Sequence, residues 1–211
     1  MKKLIIISLL FSLISFSVYA KEIQKENRNS VEIAIAYGHG FSDFFESTSV
    51  TYNYDGKTFQ EDRENTMGFS FLLNVNIPLA EKITLIPGLS FGYGFQDYLY
   101  QEVSDSPQAQ SESKSYNFNM LSGNMLVSYS LWKVNSDISF SLLGGLSYNI
   151  FNADNGFGIE DGSYLGAVLG GKFDFMQKSQ YDLVAGATYN HAFKSEMPSF
   201  IRAYIGLKYK F

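Results

Sequence analysis

Residues 201–211 read IRAYIGLKYKF. Ile201, Ala203, Ile205, Leu207, Tyr209 and Phe211 take every second position, with Arg202, Tyr204, Gly206, Lys208 and Lys210 between them. A period of two is that of a β-strand, whose successive side chains point to opposite faces. One face of this segment is apolar throughout. The other carries glycine, tyrosine and charge.

The same alternation recurs upstream. Val31, Ile33, Ile35 and Tyr37 oppose Glu32, Ala34, Ala36 and Gly38. Met67, Phe69, Phe71, Leu73, Val75 and Ile77 oppose Gly68, Ser70, Leu72, Asn74 and Asn76. Further strands are predicted over 85–95, 116–132, 138–149, 164–175 and 181–190, making eight in all. The fourth loses its phase near Met120-Leu121, which reads as a β-bulge.

The connections alternate in length. Those at 78–82, 133–137 and 176–180 are short; those at 39–65, 97–114, 151–162 and 193–199 are longer or more polar. An even number of strands with alternating short and long connections predicts an all-β fold, an eight-stranded antiparallel up-and-down transmembrane β-barrel. The apolar face holds too many bulky residues for an eight-stranded interior, which has room for little beyond its own side chains. It is therefore expected to meet lipid, with the Gly, Ser, Asn and charged face lining a narrow lumen. Tyr37, Tyr93, Phe95, Trp132, Tyr148, Tyr181 and Tyr189 cluster at strand ends, as in interfacial aromatic girdles. With 17% aromatic residues, 18 glycines and only 4 prolines, the composition agrees.

The N-terminus reads as an export signal. Lys2 and Lys3 precede an apolar run over 4–18, and Val18-Tyr19-Ala20 ends it with small residues at the −3 and −1 positions. Cleavage is expected after Ala20, leaving a polar periplasmic leader over 21–30 and the barrel over 31–211. Beyond the signal, 14 basic residues stand against 21 acidic ones, a net charge of −7 that argues against a nucleic-acid partner. There is no cysteine, so no disulfide, Cys-ligated metal or lipoprotein anchor is expected.

The C-terminal pattern Tyr204-x-Gly206-x-x-Tyr209-x-Phe211 resembles the β-signal that outer-membrane proteins present to the barrel-assembly machinery. The chain as a whole is similar to the small barrels: the OmpA transmembrane domain, OmpX/Ail-like and Opa-like proteins. The Phe91-Gly92-Tyr93-Gly94-Phe95 stretch carries the Gly/aromatic alternation common there. This resemblance implies the outer membrane as location, and lipid, lipopolysaccharide and the assembly machinery as partners. It leaves the activity open among structural proteins, adhesins, narrow pores and lipid A-modifying enzymes.

Three groups of residues are candidates for function. Glu32, Lys172, Asp174, Asp182, Arg202, Lys208 and Lys210 fall on the lumen face. Closure of the first strand on the last is expected to pair Glu32 with Lys208 or Lys210. The long connections carry net charges of −4, −3, −3 and 0, so the outer rim is acidic, and a solvated surface is expected there rather than a divalent-cation site. In the first of them, Asp55-Gly56 signals a hairpin, and Tyr52, Tyr54 and Phe59 are candidate anchors for a protein ligand. The first two strands are expected to project as a ribbon.

Catalysis is not expected. A lipid A deacylase of this size needs a His-x-Ser pair, whereas His191 is followed by Ala192-Phe193. A palmitoyltransferase of this size uses extracellular His, Asp and Ser. His39 with Asp105-Ser106 imitates that set, but the polar 21–30 segment lacks the amphipathic helix of that family. No cofactor or metal is expected. The leading expectation is a structural or surface-interaction protein, adhesin-like, acting through acidic extracellular loops. The alternative is a narrow pore for ions or small solutes.

Overall fold

Alternating Val, Ile, Phe and Tyr favour extended backbone, because branched and aromatic side chains pack well on a pleated surface. The computed structural model describes residues 28–41, 50–54, 57–103, 111–135, 138–153, 161–175, 180–194 and 199–211. The expected signal peptide and most of the expected leader lie outside them. The described strands are β1 (Ser30–Phe41), β2 (Val50–Tyr54), β3 (Lys57–Pro78), β4 (Ile83–Val103), β5 (Ser111–Asn135), β6 (Ile138–Ala153), β7 (Gly162–Phe175), β8 (Tyr181–Ala192) and β9 (Ser199–Lys210).

Eight of these close a barrel. Each strand from β3 to β9 pairs antiparallel with the next, and β1 pairs with β3 on one side and β9 on the other. Closure leaves the barrel wall no free edge, which a backbone in lipid requires. Ser30 lies opposite both Asn76 and Lys210. Both ends of the barrel chain therefore share one rim, the terminal rim, with the short turns after β3, β5 and β7. The long connections share the other, the loop rim. In the first short turn, the Leu79 and Ala80 amides both donate to the Ile83 carbonyl, at 2.9 and 3.1 Å.

The outward side chains form a continuous apolar belt, including Ile35, Phe69, Phe71, Leu146, Leu165, Leu169 and Ile205. Leu169, midway along β7, is 63% exposed. At the terminal rim the rings of Trp132 and Phe140 lie 4.9 Å apart, and those of Tyr181 and Tyr209 5.1 Å apart. At the loop rim Tyr37 meets Phe69 edge-on at 5.5 Å.

Two expectations are corrected. The bulge placed at Met120-Leu121 does not occur: β5 keeps register with both neighbours there, and its irregularities lie between Ser130 and Trp132 and between Lys133 and Asn135. The phase appeared to slip because Phe118 and Met120 are apolar yet point inward, where both are buried. The connections at 39–65 and 97–114 are also largely strand. β3, β4 and β5 have 22, 21 and 25 residues, whereas β1, β8 and β9 have 12 each. The surplus lies at the loop rim, where Thr58 pairs with Val103 and Gln101 with Ser111. At about 3.3 Å per residue it carries the sheet roughly 30 Å past the barrel. The second barrel strand, β3, thus projects as expected, paired with β2, and β4 and β5 widen the ribbon beside it.

Candidate functional site: the lumen

The inward positions sort into three levels. At the terminal rim, β1, β3, β7, β8 and β9 bring Glu32, Asn74, Asn76, Lys172, Asp174, Asp182, Lys208 and Lys210 together. Glu32 is 1% exposed and Asp182 fully buried. The Lys172 ammonium lies 3.2 Å from Glu32 Oε2 and donates to Asn76 Oδ1 at 3.1 Å. Asn74 donates to Glu32 Oε1 at 3.0 Å. Lys208 pairs closely with Asp174 and lies 3.1 Å from Asp182; Lys210 reaches Asp182 at 2.7 Å. Three carboxylates face three ammonium groups, so this level is neutral. Asp182 is held by charge alone, since neither of its oxygens has a well-angled hydrogen bond.

The expected pairing of Glu32 with Lys208 or Lys210 is therefore corrected to Lys172. Glu32 does sit opposite Lys208 in register. However, the Lys208 side chain turns to the acids of β7 and β8, and Glu32 meets Lys172 from across the lumen. Strand register fixes backbone neighbours. In so narrow a barrel, long side chains choose partners by reaching over the interior.

The middle level is part apolar and part polar. Ile86, Leu126, Leu143 and Val168 pack on one wall; Ala34, Ala36, Leu72 and Tyr204 on the other. Tyr204 leans over Gly186, where any Cβ would lie 2.6 Å from its ring. Ser147 donates to Asn190, Asn149 to Ser147, and Asn190 to Asn149, at 3.1, 3.0 and 3.4 Å. Arg202, grouped by its position in sequence with the other charges, stands apart from them. Its Nη1 donates to Ser90 Oγ at 3.1 Å. Between these groups is a cavity of about 30 Å³ lined by Glu32, Lys172, Asn190, Arg202 and Tyr204, among others. That is room for about two waters, not a channel.

At the loop rim the lumen is filled by Phe118, Met120, Phe151, Tyr164, Ala192 and Phe200. The rings of Phe118 and Phe151 stack at 5.2 Å, and Phe200 closes on Phe118 at 6.2 Å. This cap was missed in the sequence. Its signal is parity: Phe151, Tyr164 and Phe200 continue the inward positions of their strands past the polar stretch.

The remaining candidates lie elsewhere. Tyr204 and Gly206 of the C-terminal pattern face inward, whereas Tyr209 and Phe211 face outward. Gln180 donates to the Tyr209 hydroxyl at 2.8 Å, and the Phe211 amide to the Asn29 carbonyl at 3.0 Å. Tyr52 sits opposite Phe59, and Tyr54 opposite Lys57, in the hairpin of β2 and β3. His191 is an exposed girdle residue whose Nδ1 lies 3.3 Å from the Tyr189 hydroxyl. Asp105-Ser106 and Asp55-Gly56 fall outside the described residues.

No protein-family model matches the sequence, and no curated protein matches it. Solved structures do match by shape. Neisserial surface protein A covers 87% of this chain and 97% of its own at 16% identity, with a TM-score of 0.54. Ail, the attachment invasion locus protein of Yersinia pestis, covers 88% and 99% at 17% identity and a TM-score of 0.48. The outer membrane protein OprG from Pseudomonas aeruginosa covers 90% and 99% at 13% identity and 0.47. The fold is that of the small outer-membrane barrels.

Proposed function

We propose that the protein is an exported outer-membrane barrel with a closed lumen, and that it works through what it displays at the loop rim. The observation that carries this is the division of the molecule into a filled barrel and an oversized ribbon. Phe118, Phe151 and Phe200 pack together in the lumen above a neutral ionic level, which supports a closed barrel. Meanwhile β3, β4 and β5 run on past the barrel over residues 57–66, 96–103 and 111–117, more than a barrel wall needs. Continued strand pairing holds that surface in one shape without a bound partner, which favours binding by limiting the entropy lost on association. The loop rim then faces outward, the termini face the periplasm, and the acidic rim disfavours polyanionic ligands. An extracellular protein is the partner class it suits, with no enzymatic step required. The narrow-pore alternative draws on the ionic level at the terminal rim, and the aromatic cap argues against it.

The test compares cells displaying the full protein with cells displaying a variant whose residues 42–65 are replaced by a short Gly/Ser turn. Folding of both is checked by heat-modifiable gel mobility. Adherence to immobilised extracellular proteins should fall in the variant, and neither protein should give conductance steps in a planar bilayer. Unchanged adherence would sink the display role. Discrete steps from the full protein would install the pore instead.

A further inference from the structure

Arg202 is the charge that the lumen leaves uncompensated. It is 5% exposed. Its Nη2 has no protein hydrogen-bond partner, and among the described residues it makes no ion pair. The three buried acids cannot serve it, because Lys172, Lys208 and Lys210 already neutralise them. Nor can it discard its charge, since a guanidinium stays protonated in proteins. Burying an ion without a counter-charge is strongly unfavourable, because the interior does not replace the solvation it has lost.

The same arginine lines the 30 Å³ cavity, beside Glu32, Lys172, Asn124, Thr188, Asn190 and Tyr204. Lys172 and Glu32 cancel each other there, so the walls carry the single net positive charge of Arg202 and several groups able to donate hydrogen bonds. Water there would satisfy Nη2 but leave the charge. An anion satisfies both. The cavity has the volume of about two waters, which excludes sulfate, phosphate and carboxylate ligands and admits a monoatomic halide. We propose that the lumen binds one chloride-sized monovalent anion, held by Arg202 in this cavity. The ion would be a structural part of the closed barrel, independent of the ribbon and its partners.

The experiment uses the refolded protein in detergent micelles at fixed ionic strength, with gluconate, too bulky for the cavity, replaced stepwise by chloride. Binding to the folded state alone raises the folded-to-unfolded ratio about tenfold once chloride is tenfold above its Kd. Arg202→Met should abolish that dependence, and the unaltered protein in bromide should give an anomalous scattering peak beside the guanidinium. A chloride-independent parent with no bromide peak would overturn the proposal and leave water as the occupant. A chloride effect equal in parent and Arg202→Met would overturn it too, as a general salt effect. If Arg202→Met does not refold, the bromide peak in the unaltered protein decides.

Discussion

Glu32→Ala removes one half of a buried charge pair and leaves the other half in place. Lys172 would lose the carboxylate at 3.2 Å and keep Asn76 at 3.1 Å and Asp174 at 3.9 Å. Asn74 would lose its acceptor as well. Removing one partner of a buried pair costs about 3–5 kcal/mol. The surviving contacts of Lys172 place the expected loss at the low end, about 3 kcal/mol. The double variant Glu32→Ala/Lys172→Met takes out both charges and should recover most of that loss, because an apolar replacement of a whole pair is often neutral. Urea unfolding of the refolded protein, followed by the fluorescence of Trp132, the single tryptophan, measures both. Conductance should stay silent in each, since the aromatic cap lies at the opposite rim. A loss under about 0.5 kcal/mol for Glu32→Ala, the range of neutral surface changes, would refute the pairing. So would a double variant no more stable than the single.

Three further outcomes are expected. Leu169→Arg places a charge at the centre of the outward belt and should cost about 2–4 kcal/mol in a bilayer; a neutral effect on folding into lipid vesicles would mean that this face does not meet lipid. Gly186→Ala should cost about 1–3 kcal/mol by overpacking, because the added methyl meets both the Tyr204 ring and the Gly171 carbonyl; urea midpoints of Gly186→Ala alone and combined with Tyr204→Leu measure it, with partial recovery expected in the pair, and no recovery would exonerate Tyr204. Deleting Phe211 should lower the amount assembled in the outer membrane of living cells while leaving refolding in detergent unchanged; equal losses in both settings would assign Phe211 to stability rather than to assembly.

The barrel was legible in the sequence because its constraint is local. A strand with an apolar medium on one side and a packed polar lumen on the other must alternate, and Ile201 to Phe211 shows that without reference to any neighbour. The order of short and long connections likewise set the parity of the strands and the rim shared by the termini. What escaped is what depends on closure. Phe118 and Met120 looked like a phase error because the expected lumen was polar throughout, and only the assembled barrel shows Phe151, Tyr164 and Phe200 meeting them from other strands. Similarly, residues 57–66 and 96–103 lack a steady alternation, yet pair as strands because the register of β3 on β4 carries on past the barrel. Glu32 was placed beside Lys208 by register, but its partner is Lys172, 140 residues away and across the lumen. Arg202 was visible as one more inward charge. Its isolation was not, because whether a buried charge is compensated depends on where every other long side chain in the interior has gone.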